Sequence, residues 1–182
     1  TRNMSKKAMP PNIISAYKLA KMSALMIDNE EYNNINIDYI EINLSVAQCM
    51  ENNLASQVLE TLDKYNVLPS QINLEVTETA ASDSQKTMIE NLSALNDAGI
   101  SFSLDDFGTG FSSLSYLQGL PVDTLKIDKS FVDNVEKDGP GRIITESIIQ
   151  MVEKLGYEIV AEGVETTKQF EYLKELGCDI IQ

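Results

Sequence analysis

Three helix-like stretches of this chain end in the same way. Leu95-Asn96-Asp97-Ala98-Gly99, Glu153-Lys154-Leu155-Gly156 and Lys174-Glu175-Leu176-Gly177 each close an apolar helical period on a glycine. The glycine falls just past the helix, where a positive φ costs it little. Each one leads into a short β-rich run, at 100–104, 157–161 and 178–181. The first two runs end on acids in equivalent places, Asp105 and Glu162. Helix, glycine, strand and acid thus recur as a unit, and such units fold as parallel βα repeats.

The helices show the expected period. Leu54, Val58, Leu59 and Leu62 form one stripe; Met88, Ile89, Leu92 and Leu95 form a second. Ile144, Ile148, Met151, Val152 and Leu155 form a third, and Phe170, Leu173 and Leu176 a fourth. Their expected role is core burial. Ser82 with Gln85, and Thr166 with Gln169, have capping-box spacing. Further strands read at 39–44, 72–76 and 124–128, giving six candidates between about 36 and 182. An open doubly wound sheet and a closed (β/α) barrel both fit this order. No glycine-rich dinucleotide turn follows the first strand, which weakens the first option. Polar residues at the ends of consecutive strands favour a barrel, whose site is built from all its strand ends.

Composition narrows the chemistry. The chain of 182 residues has no histidine, so Ser-His-Asp triads, Cys-His dyads and His-bound zinc are excluded. A net charge of −14 argues against a nucleic-acid polymer as partner. No stretch has the apolar length of a membrane span, and no apolar run follows Lys6-Lys7 as a secretory signal requires. Cys49 and Cys178 are expected to be reduced core residues of a cytoplasmic protein.

The polar residues at the strand ends are Asn43, Glu75, Asp105 with Asp106, Lys126, Glu162 and Gln182. Parallel strands aim these ends at one face. Oxygen donors without His or Cys suit hard cations such as Mg²⁺ or Mn²⁺. Two such cations acidify a water and hold a phosphate in line for attack. Each residue also has a bland reading. Asp105-Asp106 could be a solvated pair, Glu75 and Glu78 could cap a helix, Lys126 could be a satisfied strand lysine, and Glu162 and Glu165 could face a helix N-terminus. Their recurrence at equivalent repeat positions favours a shared site. The run Asp105-Asp106-Phe107-Gly108-Thr109-Gly110-Phe111-Ser112-Ser113-Leu114 carries two glycines for close backbone approach and a serine to cap the next helix. Asp106-Phe107-Gly108 spells a kinase metal motif, but no glycine-rich phosphate loop or His-Arg-Asp loop accompanies it.

Taken together, Asn43-Leu44-Ser45, Glu75-Val76-Thr77-Glu78, the Asp105 run, Leu125-Lys126-Ile127-Asp128 and Ala161-Glu162-Gly163-Val164-Glu165-Thr166 resemble the EAL-domain family of cyclic-di-GMP phosphodiesterases, from about Ile37 to Gln182. The resemblance implies a modified TIM-like (β/α)₈ barrel. It implies two divalent cations, Mg²⁺ or Mn²⁺, with Ca²⁺ inhibitory, and opening of one phosphodiester of cyclic-di-GMP to linear pGpG. Asn43, Glu75 and Asp105 match metal ligands, and Asp106 matches a ligand of the second metal. Lys126 matches the lysine beside the attacking water, Glu162 a glutamate of the water and ligand set, and Gln182 a residue holding the water or second metal. Glu78 matches the acid that steadies the loop after Asp105-Asp106. Glu165 lies in a matching motif without an assigned role. Fused GGDEF or sensory domains and a homodimer are further implications.

The family's Glu-Ala-Leu and its substrate-binding arginine are not found in the sequence. Residues 1–35 are expected to be a divergent, partly helical segment, with a helix at about 13–26 after Pro10-Pro11, ahead of a barrel core at 36–182. The expected barrel is therefore incomplete, lacking its first two strands and the end of its last. Such a chain is expected to be less stable than a closed barrel, to associate through its edges and to hydrolyse little by itself. The competing reading is a non-catalytic module that binds cyclic-di-GMP or a protein. A weaker one is an unrelated metal-dependent barrel hydrolase.

Overall fold

The computed structural model describes residues 39–78, 86–109, 117 and 119–182. Among the described residues six parallel strands form one sheet in the order of the chain: β1 (Ile40–Asn43), β2 (Ile72–Thr77), β3 (Ser101–Phe107), β4 (Thr124–Ile127), β5 (Glu158–Ala161) and β6 (Ile180–Ile181). The helices between them are α1 (Val46–Cys49), α2 (Leu54–Lys64), α3 (Lys86–Asp97), α4 (Lys129–Val132), α5 (Pro140–Leu155) and α6 (Thr167–Glu175). A doubly wound sheet reverses its strand order at a switch point. Among the described residues this one does not, and crossovers of the single hand that parallel units follow would put the helices on one side of a sheet that curls as part of a barrel.

Local chemistry explains the elements. Gly99, Gly156 and Gly177 take φ of 101°, 82° and 95°, the left-handed values expected where each helix stops. Thr166 and Gln169 form the anticipated capping box at α6, and Ser45 with Gln48 forms another at α1. The spacing of Ser82 and Gln85, the helix read at 13–26 and residues 110–114 lie outside the described residues.

The core holds Leu54, Leu62, Met88, Leu92, Leu95 and Leu173 as expected. The α5 stripe is rotated from its expected place. Ile144 and Leu155 are exposed, and the buried line is Thr145, Ile149 and Val152. Isoleucines at 143, 144, 148 and 149 leave the apolar arc of this helix too broad for periodicity to choose a face. Thr145 is accommodated because its hydroxyl bonds the carbonyls of Phe131 and Gly141. Phe170, also expected inside, is exposed on α6.

The sheet has two unlike faces. Ile42, Leu74, Val76, Phe102, Leu104, Leu125, Ile127 and Ile159 belong to the apolar core with the helices. The alternate positions carry Glu41, Asn43, Asn73, Glu75, Ser103, Asp105, Thr124 and Lys126, on the concave side. Contacts across strands establish that side as shared: Ser103 Oγ donates to Asn73 Oδ1 at 2.9 Å, and Lys126 reaches both Glu75 and Glu41.

Candidate metal and phosphate site

Lys126 is the centre of the concave face. Only 5% of its side chain is exposed. Its Nζ lies 2.5 Å from Glu75 Oε1, 2.6 Å from Glu162 Oε1 and 3.8 Å from Glu41 Oε2. Burial opposes the charge, but the hydrogen bonds to Glu162 and Glu75 outweigh it and hold the ammonium above lysine's ordinary pKa. Strand register explains the meeting. Asn43 is paired with Glu75 across β1 and β2, and Lys126 with Val160 across β4 and β5, so Glu162 falls two residues beyond it.

Asp105 and Asp106 sit at a break in the β3–β4 ladder, where register shifts between Leu104 and Phe107. Asp106 takes φ of 56°, in the left-handed region that aspartate tolerates better than most residues. Bulges of this kind re-aim side chains beside sites. Asp105 Oδ1 accepts from the Asp106 amide at 2.9 Å. Glu78, buried at the end of β2, accepts from the Gly108 amide at 2.9 Å and so ties down the turn that follows. A side chain at Gly108 would strike Phe131, 2.9 Å from the ideal Cβ, which explains the glycine there.

The expected residues do not all touch. Lys126, Glu75 and Glu162 do; Asn43 and Asp105 flank them on neighbouring strands, and Asp106 lies on the exposed rim. Gln182 instead lines a cavity of about 300 Å³ with Tyr39, Glu41, Val160, Ile180 and Ile181. Its carbonyl accepts from the Val164 amide in the loop after β5, and its amide donates to the Ala161 carbonyl at the end of β5. Among the described residues no three acids form a ready-made metal cage. The ammonium of Lys126 stands among them instead.

Charge in this region is unbalanced all the same. Burial raises the Glu41 carboxyl above its ordinary pKa; Lys126 pulls it down, and Glu75, Glu162 and Asp105 push it further up. Partial desolvation raises Asp106, with Asp105, Asp128 and Glu78 adding to the effect. One lysine therefore leaves the acids short of positive charge. All these donors are oxygens, and a surplus of carboxylates around them fits hard divalent cations.

Two residues escaped the motif reading. Glu41 lies two residues before Asn43, so the period of two places both on the concave face. Lys129, three residues after Lys126, meets Glu165 Oε1 at 2.6 Å and the Gly163 carbonyl at 3.4 Å. Gly163 has φ of 69°, and a Cβ there would fall 2.6 Å from Lys129 Cγ. Lys126 and Lys129 thus bind the loop after β5 at two points, through Glu162 and Glu165. Glu165, without a role in sequence, has this structural one.

Comparison with known proteins agrees with this architecture. The family model described as "EAL domain" matches residues 14–182, starting ahead of the motifs legible from Ile37. The bifunctional diguanylate cyclase/cyclic di-GMP phosphodiesterase MucR of Pseudomonas aeruginosa is 41% identical over 146 residues, 79% of this chain and 21% of its own length. The solved PaMucR phosphodiesterase in complex with c-di-GMP superposes with a TM-score of 0.80 at 34% identity, covering 93% of this chain and 72% of that one. Klebsiella pneumoniae BlrP1, solved as a manganese/cy-diGMP complex, has a TM-score of 0.79 at 28% identity, covering 94% and 43%. The chain spans about a fifth of the length of the curated relatives it matches. The sequential parallel half-barrel, the polar concave face and the match over most of the chain have one common account: this chain belongs to the EAL-domain family.

Proposed function

We propose that this chain supplies most of the active site of a cyclic-di-GMP phosphodiesterase that works with two divalent cations, Mg²⁺ or Mn²⁺. The observation that carries the reading is the buried ammonium of Lys126 between Glu75 and Glu162, on a face otherwise short of positive charge. Support comes from relatives named as phosphodiesterases and from family structures solved with c-di-GMP and manganese. In this reading Asn43, Glu75, Asp105 and Asp106 hold the cations. When bound, these would supply the Lewis acidity that makes a nucleophile of water and neutralises the phosphodiester.

The protein side chains do the rest. Lys126 donates toward the phosphate oxygen on which charge grows, a role its ammonium suits. Glu162 and Gln182 orient the attacking water. Glu78 keeps the Asp105-Asp106 turn in place through Gly108. The setting proposed is a cytoplasmic multidomain signalling protein, with fused GGDEF or sensory domains and a homodimeric assembly. Among the described residues no helix is long and apolar enough to cross a membrane.

The test is turnover of cyclic-di-GMP to the linear dinucleotide with Mn²⁺ by the full-length protein that carries this chain, followed by chromatography. Asp105→Ala and Glu75→Ala are each expected to reduce it by orders of magnitude, and chelator to abolish it. Near-normal rates in either variant refute the ligand assignment. Binding of cyclic-di-GMP without turnover by the wild type establishes the receptor reading instead.

A further inference from the structure

Glu41 belongs to no motif, yet it is the third carboxylate on Lys126. At 3.8 Å from Nζ it is within ion-pair range but beyond a hydrogen bond, while Glu75 and Glu162 are at hydrogen-bond distance. The lysine has three protons, and only two are directed to close carboxylates. Glu41 also has room to move. Its side chain is 30% exposed and borders the cavity of about 300 Å³ that it shares with Val160 and Gln182 among the described residues.

This matters when Glu75 and Glu162 are needed elsewhere. If Glu75 turns toward a bound cation and Glu162 toward the attacking water, Lys126 loses both near partners while remaining buried, and a buried ammonium without a counter-ion is costly. We propose that Glu41 is the reserve counter-ion of Lys126: it takes up the ammonium when Glu75 and Glu162 are released. Glu41 is then a positioning residue that acts through Lys126 and needs no contact with substrate. The inference rests on the proposed reading that Glu75 serves a cation and Glu162 the attacking water.

Calorimetric titration of the metal-free protein with Mn²⁺ tests it, with the shift in thermal midpoint on adding Mn²⁺ as a second readout. Glu41→Gln preserves shape and is expected to weaken Mn²⁺ binding about tenfold, because release of the two carboxylates then strands the ammonium. Without metal its thermal midpoint should stay close to wild type, since Lys126 keeps Glu75 and Glu162. In a Lys126→Met background the same substitution should change affinity by less than about twofold, because the group it serves is gone. Equal losses in both backgrounds overturn the inference, since Glu41 would then act directly on the cation. Unchanged affinity in the single variant overturns it as well. A wild type that binds no Mn²⁺ overturns the cation-site reading and this inference together, whereas a wild type that binds normally isolates the failure to Glu41.

Discussion

The two faces of the sheet are made from the same strands and obey opposite rules. On the convex face Leu74, Val76, Leu104, Leu125 and Ile127 are buried against helices, and any apolar group of similar volume meets the demand. On the concave face Lys126 is as buried as they are, but each group there needs a specific partner. Parallel strands covered on both sides ordinarily read as unbroken apolar runs. Here they alternate: Ile40-Glu41-Ile42-Asn43, Ile72-Asn73-Leu74-Glu75 and Leu125-Lys126-Ile127. Alternation in a parallel sheet therefore marks one face as a place for polar chemistry.

The largest expected effect breaks the concave face at its centre. Lys126→Met keeps volume and removes the only ammonium in contact with Glu41, Glu75 and Glu162 among the described residues. Uncoupling a buried ion pair costs about 3–5 kcal/mol, so the urea midpoint of the metal-free protein should fall steeply. Turnover should drop by orders of magnitude as well. A mild loss of both would place the polar and apolar faces on the same footing.

The counterpart on the convex face is Leu104→Ala. Leu104 is fully buried between Val76 and Leu125 in the ladder. The cavity should cost roughly 3 kcal/mol of stability while leaving Mn²⁺ affinity within about twofold of wild type. Loss of stability with intact metal binding keeps the faces separate; loss of metal binding would show that the core positions the acids more tightly than described.

These faces differ in legibility too. Helix ends, strand number and the strand-end acids could be read because each depends on a few neighbours: Gly99 and Gly156 stop helices by their own φ. The buried arc of α5 could not, since its four isoleucines allow more than one face and only packing chooses. Glu41 and Lys129 were obscured because their partners lie on other strands or loops, far along the chain. The alternation that announces the concave face was present in the sequence throughout. It needs the parallel topology before it can be interpreted.

A smaller effect is expected where the loop after β5 passes over Lys129. Gly163→Ala forces a left-handed φ of 69° on alanine and drives its Cβ into the lysine stem. A cost of about 1–2 kcal/mol follows from the backbone alone. Because Glu162 is the preceding residue, turnover should fall further than the loss of stability explains. Wild-type turnover with reduced stability would separate the loop's fold from its aim.

The smallest effect belongs to Glu165→Gln. The Lys129–Glu165 contact is 2.6 Å, the same length as Lys126–Glu162. Burial distinguishes them: the side chains of the first pair are 43% and 71% exposed, those of the second 5% and 26%. Exposed charges exchange one partner for water at little cost, and salt screens what remains. The thermal midpoint should be unchanged within error and turnover within roughly twofold of wild type. Any difference at low salt should vanish at high salt, where the loss caused by Lys126→Met should persist. If Glu165→Gln instead costs as much as Gly163→Ala at every salt concentration, the exposed pair itself aims Glu162. Burial would then not be what separates the two lysines.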